Sequence, residues 1–500
     1  MSNELAIEKV FEIKGCVDEL LNILQEGEVP PPPPPTPTPT PRAGRNIGIN
    51  LTRPTYWDNI ITYADALRQA GFVTGYDKLD QQDIPVDSNG RPSVATPYNS
   101  LKLGGQVPIY GDLNIVNNGE FQLVLNGNTK IKFANVATFN ESGIIKFPDG
   151  LEKENFRIEE SSLGSDWKLF YPGQSINATF HSFLLESLSG FSCVRAMDWT
   201  LTNDSKQANW SDRRKQTDMG QSSSSGACWE DVIQLANEVN SDLWICIPHN
   251  ATDDYITNLA DLIADNLRSD VSLYVEYSNE VWNSARAFRG QYAKALEVGA
   301  REFPSETNYF KRSAKGYGYL ANEAYKVFDN VYGKVDKANY ICAWQAAANF
   351  SHKHAIEECE MATHLSIAPY LYLPKWQDDA DIEATIERAK TEGMQRSRDQ
   401  MEKYQGLADE YGLEMSCYEC GNHIGGNENA ERSYEFANSP ELENILIDYD
   451  AMIEEVSGNI PRCYFNYGGK PRSGWAFGAQ DYSGNTENPK WKALRWLIDN

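Results

Sequence analysis

"VSLYVEYSNE", residues 271–280, decides how the chain is read. Its Val, Leu and Tyr content is that of a buried strand. Yet the stretch carries two carboxylates, Glu276 and Glu280. Burying an unpaired carboxylate is costly, or forces it to take up a proton. A strand of this kind must therefore have a use for its acids. Glu276 comes four residues earlier and so lies deeper along the strand. It is expected to be a structural acid paired within the core.

Runs of the same character recur along the chain. They are "RNIGINL" (45–51), "FSCVRAMDW" (191–199), "LWICIPHN" (243–250), "NYICAWQ" (339–345), "HLSIAPYLY" (364–372), "EMSCYECGN" (414–422) and "RCYFNYGG" (462–469). With 271–280 they make eight strand candidates. Helical stretches such as "WEDVIQLANEVN" and "YITNLADLIADNL" separate them. Repeated strand–helix alternation implies a parallel sheet, and eight such units imply a closed (β/α)8 TIM barrel. Between the first and second candidates the pattern changes. Residues 84–174 alternate apolar and polar residues around turn signals such as Asn118-Gly119 and Asn126-Gly127. This predicts an inserted antiparallel β module.

Two segments precede the barrel. In residues 1–28, Ala6, Val10, Ile13, Val17, Leu20 and Leu24 form a heptad seam, the mark of a coiled-coil or anchoring helix that self-associates or docks on another protein. Residues 29–43, "VPPPPPPTPTPTPRA", form a proline-rich linker with the stiffness of polyproline II. The organisation expected is anchor, semi-rigid stalk and an enzyme-like body over 44–500.

The formal net charge of −26 argues against nucleic acid or an anionic membrane as the main partner. It argues more weakly against a polyanionic substrate, which a local basic cleft could still accommodate. No apolar run reaches the ~18 residues of a membrane span, and no secretory signal is expected. Nine cysteines are scattered along the chain. Cys193, Cys246, Cys342, Cys417 and Cys463 read as small core residues in strands. Cys417 and Cys420 form a CxxC, but on a regular strand they would point to opposite faces and hold no metal. No metal or other cofactor is expected.

In a (β/α)8 barrel the site lies at the C-terminal strand ends. Those ends carry Asn50, then Arg195 with Asp198 and Trp199, then His249 and Asn250. Asn279 and Glu280, Trp344, Pro369 and Tyr370, Glu419 and Trp475 follow. Acids, amides and aromatics gathered at one rim suit a sugar site. Glu280 and Glu419 are 139 residues apart. At about 46 residues per barrel unit they fall about three strands apart, facing each other across the mouth. A single Glu at a strand end is commonly a salt-bridge partner. Two facing acids with an Arg and aromatics beside them are what glycoside hydrolysis requires.

"YVEYSNEVWN" with Asn279-Glu280, and "YECGNH" with Glu419, resemble the clan A retaining glycoside hydrolases. The likeness is closer to a bacterial and phage group of cellulase-like barrel proteins. "GINL", "FSCVRAMDWTLTN", "WICIPHNATDDYI", "LYVEYSNEVWN" and "SGWAFGA" run in the same order there, covering roughly residues 44–500. The resemblance implies that Glu280 is the general acid/base and Glu419 the nucleophile. Asn279 would hold a sugar 2-hydroxyl, Arg195 would keep Glu419 ionised, and Trp475 would floor the sugar subsite. Tyr370 matches the clan's sixth-strand Tyr. Trp199, His249, Asn50 and Trp282 complete the expected substrate-binding set. Cys420 departs from the group, which tends to have Gly there. Strand parity sends Asn279 and Glu280 to opposite faces, so the strand must leave regular geometry between them.

The expected function is retaining cleavage of a β-linked polysaccharide, a host surface glycan, by a phage virion or tail component. A bacterial cytoplasmic or otherwise exported enzyme is the alternative location. A non-catalytic glycan-binding or adhesion protein on the same scaffold is the alternative function.

Overall fold

The computed structural model describes residues 44–55, 60–69, 71–74, 99–102, 120–125, 131–133, 138–139, 141–146, 156–161, 167–218, 220–221, 225–347, 349–425, 429–469 and 476–500. The heptad segment, the proline-rich linker and Trp475 lie outside these residues.

Eight parallel strands close into a barrel. They are β1 (Ile47–Asn50), β2 (Cys193–Arg195), β3 (Asp242–Ile247), β4 (Leu273–Tyr277), β5 (Ala338–Ala343), β6 (His364–Ile367), β7 (Glu414–Cys420) and β8 (Arg462–Tyr464). Every strand pairs with its sequence neighbours, and β8 pairs with β1 to complete the ring. The predicted (β/α)8 barrel is the fold, and each of the eight candidate runs supplies one strand.

The runs read as continuously apolar because both faces are covered. On β4, Leu273, Val275 and Tyr277 pack outward against the helices, and Tyr274 packs inward. The interior cluster holds Cys193, Met197, Trp244, Cys246, Tyr274, Tyr418 and Cys463 among others, with Trp244 stacked on Tyr274 at 5.3 Å. The outer layer is closely packed. Helices Arg289–Glu302 and Tyr309–Tyr332 meet where a side chain on Gly316 would collide with the Ala295 carbonyl oxygen. The eight described cysteines are buried and free.

Among the described residues between β1 and β2 are two antiparallel sheets. One has five strands in the order 71–74, 99–102, 156–161, 131–133, 138–139. The other has three, in the order 143–146, 120–125, 167–170. Among the described residues no helix is long and apolar enough to cross a membrane.

Candidate active site

The floor of the barrel mouth is organised by Arg195, which is fully buried. All five of its N–H groups are engaged. Nε and Nη2 donate to Glu276 Oε2 at 3.1 and 2.8 Å. Nη1 donates to Asn50 Oδ1 at 2.8 Å and Glu419 Oε1 at 3.0 Å, and Nη2 donates to Asn279 Oδ1 at 2.8 Å. The guanidinium also lies over the rings of Tyr418 and Trp244, 5.2 and 5.8 Å from their centroids. Glu276 is the core acid expected of it. Its Oε2 accepts from Trp244 Nε1 at 2.9 Å as well, while Oε1 has no hydrogen-bond partner. One planar cation thus ties β1, β2, β4 and β7 together, which a point-charge ammonium could not do.

Two local departures from strand geometry bring the acids to the mouth. β4 ends at Tyr277, and then Ser278 (φ 60°) and Glu280 (φ 43°) take left-handed conformations on either side of Asn279. Such conformations cost on the order of 1–3 kcal/mol each in a non-glycine residue and persist only where surrounding contacts hold them. They turn Asn279 in towards Arg195, and Glu280 follows at the rim. On β7 the register with β8 shifts between Cys417 and Cys420, a β-bulge. Tyr418 belongs to the interior cluster and Glu419 meets Arg195, while Cys417 and Cys420 both pack in the outer core. The two cysteines therefore share a face, contrary to strand parity, because the bulge adds a residue between them.

Glu419 is 6% exposed and is gripped on both oxygens. Oε1 accepts from Arg195, and Oε2 accepts from the Tyr370 hydroxyl at 2.9 Å. Glu280 is half-buried. Its Oε2 accepts from Asn283 Nδ2 at 2.8 Å and its Oε1 from the Tyr418 hydroxyl at 3.3 Å. Burial pushes Glu419 up to about 8, outweighing Arg195 and the Tyr370 hydroxyl, with the charge of Glu280 adding to the rise. Contrary to expectation, Arg195 therefore does not by itself keep this carboxyl low. Burial also raises Glu280, against the Asn283 hydrogen bond and the charge of Arg195. Two carboxyls raised within electrostatic reach of each other titrate as a pair that retains a proton well above the ordinary carboxylate range. The hydrogen bonds favour Glu280 as its holder, since Glu419 accepts from a cation and a phenol whereas Glu280 has one amide and one long contact. Asp198, raised by burial to about 6, adds a third acid whose charge Glu419 feels.

Aromatic rings extend from Tyr370. Its ring is 5.0 Å from His423 and 6.2 Å from Phe477, and His423 is 5.7 Å from Tyr372. Phe465 meets Phe477 at 5.4 Å. These rings form a wall beside Glu419. Lys490, buried nearby, donates to the carbonyls of Phe465 and Phe477 and holds their two loops together.

Arg195, Asn279, Glu280, Tyr370 and Glu419 are brought together. Several other expected residues are not. Asn50 is buried, its oxygen taken by Arg195 and its Nδ2 by the carbonyls of Tyr418 and Cys463, so it orients the cation and leaves no group for a sugar. Arg195 likewise has no N–H left for substrate. Trp199 is 1% exposed and packs between Tyr63 and Phe180 in the outer core, its indole N–H donating to the Thr52 carbonyl. Trp344 packs outward against Tyr317 and His352. His249 lines a cavity of about 220 Å³ with Tyr277, Lys294 and Arg301, behind β4. Trp282 packs half-buried against the outer core.

Asn279 keeps one amide N–H without a protein partner among the described residues, the other donating to Asn203 Oδ1 at 3.0 Å. Asn203, Gln291, Tyr418 and Asn283 went unnoticed in the sequence. Only the position of Tyr418 and Asn283 next to the two acids could have marked them. Among the described residues, no cluster of His, Cys, Asp and Glu could hold a metal ion.

No protein-family model matches the chain, and no curated protein matches it. Solved structures resemble it distantly. A GH51 arabinofuranosidase from Xanthomonas axonopodis pv. citri has a TM-score of 0.40 at 10% identity, over 59% of this chain and 62% of that one. A modular endo-β-1,4-mannanase from Cellulomonas fimi has 0.35 at 11%, over 61% and 62%. A family 1 β-glucosidase from Thermotoga maritima has 0.33 at 9%, over 64% and 85%. The chain thus spans less than two thirds of the first two. Likeness this distant concerns the barrel alone.

Proposed function

We propose that the chain is a retaining glycoside hydrolase acting on a β-linked polysaccharide. The observation that carries this reading is the clamped Glu419 of β7, held between Arg195 Nη1 and the Tyr370 hydroxyl, with Glu280, just past the end of β4, within electrostatic reach. One hydrogen bond to each oxygen fixes the carboxyl group and suits a carboxylate that must ionise to act. Glu280 supplies the proton to the departing glycosidic oxygen, then takes one from the water that hydrolyses the glycosyl–Glu419 ester. Asn279, with its free amide N–H, sits where it can hold the 2-hydroxyl. The resemblance of "YVEYSNEVWN" and "YECGNH" to the clan A enzymes supports the same roles.

The test is turnover on a panel of β-linked polysaccharides with proton NMR of the first-formed anomer. Retention, with activity abolished in Glu419→Gln and Glu280→Gln, is the expected result. An inverted product removes the nucleophile role from Glu419. Glycan binding without cleavage by the wild-type chain would assign the protein to the binding or adhesion class.

The heptad segment and proline-rich linker support a particle-bound enzyme, a phage virion or tail component trimming a host surface glycan. Deleting residues 1–43 should leave turnover intact and abolish oligomerisation or particle attachment. Loss of the fold on that deletion would refute the stalk role.

A further inference from the structure

A second surface feature bears on which polysaccharide this would be. An open groove of about 930 Å³ lies between the loop after β5, at Ala346 and Ala347, and the first half of helix Met394–Tyr411. That helix leads down to the start of β7, so its N-terminal end stands at the mouth face. Lys390, Arg396 and Lys403 line the groove and are exposed. Among the described residues none of the three makes an ion pair. Of the other charges lining the groove, Glu392 pairs with Arg388 and Arg398 pairs with Glu402 and Glu455, while Asp399 makes no salt bridge among the described residues and accepts only from the neutral Gln395. Three cations without a salt bridge, against the one such acid Asp399 and with Glu441 within electrostatic reach of Lys390, leave the groove lining with an excess of positive charge in a chain whose net charge is −26.

The helix that lines the groove is tied to the active site through buried contacts. The Tyr370 hydroxyl binds Glu419, and the Tyr370 carbonyl accepts from Ser397 Oγ at 3.1 Å. The neighbouring Arg396 lies over the ring of Tyr372, 5.4 Å from its centroid, and Tyr372 joins the aromatic wall through His423. Arg396 and Lys403, seven residues apart, share one helix face and stand about 10 Å apart along it. A ring beside a guanidinium, followed by further cations, suits a sugar chain that carries negative charges at intervals.

We propose that the substrate is an acidic polysaccharide, and that Lys390, Arg396 and Lys403 bind its carboxylate or sulfate groups in this groove. This rests on the glycosidase reading for its substrate role, but its binding claim stands separately. The cations form a local field opposite in sign to that of the whole chain, so they select acidic chains that the rest of the surface repels.

The experiment uses the full-length chain with Glu280→Gln, so that binding is read without turnover. Its probes are polygalacturonate and alginate for carboxylates, chondroitin sulfate for sulfate, and laminarin and galactomannan as neutral polymers. The expected result is binding to at least one acidic polymer that weakens with salt and falls about tenfold or more when Lys390, Arg396 and Lys403 are together replaced by Gln. An unchanged melting temperature would show that the triple variant is folded, and single Gln variants, each giving a smaller loss, serve if it is not. Preference for the neutral polymers, no binding to any acidic one, or acidic binding indifferent to the substitutions would overturn the proposal. Absence of cleavage by the wild-type chain, with this binding intact, would count against the glycosidase reading alone.

Discussion

The Tyr370 hydroxyl donates to Glu419 Oε2 at 2.9 Å, on the oxygen that Arg195 leaves free. A donor on each oxygen fixes the carboxylate in rotation and in charge. Tyr370→Phe removes one donor and leaves a buried acceptor unsatisfied. A hydrogen bond to a charged group contributes about 1.5–3 kcal/mol, so kcat/KM should fall about tenfold to a hundredfold. Because this hydroxyl lowers the Glu419 carboxyl, the acidic limb of the pH profile should also move up. An unchanged profile would reduce Tyr370 to a packing residue.

The proton shared by Glu280 and Glu419 predicts a bell-shaped pH dependence. At low pH both carboxyls are protonated and no nucleophile exists. At high pH both are ionised and the acid is lost. Burial raises both groups, so both limbs should lie above those of ordinary carboxylates. In Glu280→Gln the charge that raises Glu419 is gone. With an activated aryl glycoside, which needs no acid, the remaining ionisation should shift down. A shift upward would contradict the coupling.

The same burial has a cost in stability. Burial raises the Glu280–Glu419 pair, pushing Glu419 up to about 8 from an ordinary 4.5. Between these values the folded protein holds a proton that the unfolded chain releases, so stability falls as pH rises through this window. Glu419→Gln removes the loss. Its melting temperature should match the wild type near pH 4 and exceed it increasingly towards pH 8. Equal melting curves across that range would refute a strained carboxyl.

Gly316 makes a prediction away from the site. Ala is the better helix former by about 1 kcal/mol, yet a methyl group here would overlap the backbone oxygen of Ala295. Forced overpacking costs about 1–3 kcal/mol. Gly316→Ala should lower the melting temperature without altering the pH profile, as thermal unfolding would show.

The barrel was legible because parallel strands covered on both faces read as apolar runs, and helical patterns separate them. The acids were legible because carboxylates at the ends of such runs have few other reasons to be there. What remained hidden depends on local backbone geometry. Trp199 and Trp344 come just after strands and turn outward into the helix layer, where large rings find their burial. Parity counting failed at Cys417 and Cys420 because a bulge adds one residue, and nothing in "SCYEC" announces it. The environment of Glu419 was misjudged for a related reason. The sequence offers Arg195 as a partner, but the depth of burial that opposes it follows only from the closed fold.

The bonds of Arg195 divide unevenly between the two halves of the barrel. Four of the five stay within β1 to β4, on Asn50, Glu276 and Asn279, and only the bond to Glu419 reaches across. A half-barrel ending after Glu280 would carry its cation already neutralised. Its counterpart would carry Glu419 and Tyr370 without the cation that binds Glu419. Fragments separated between β4 and β5 should therefore be inert alone, and recovery of the proposed activity on mixing would report that the two halves had joined.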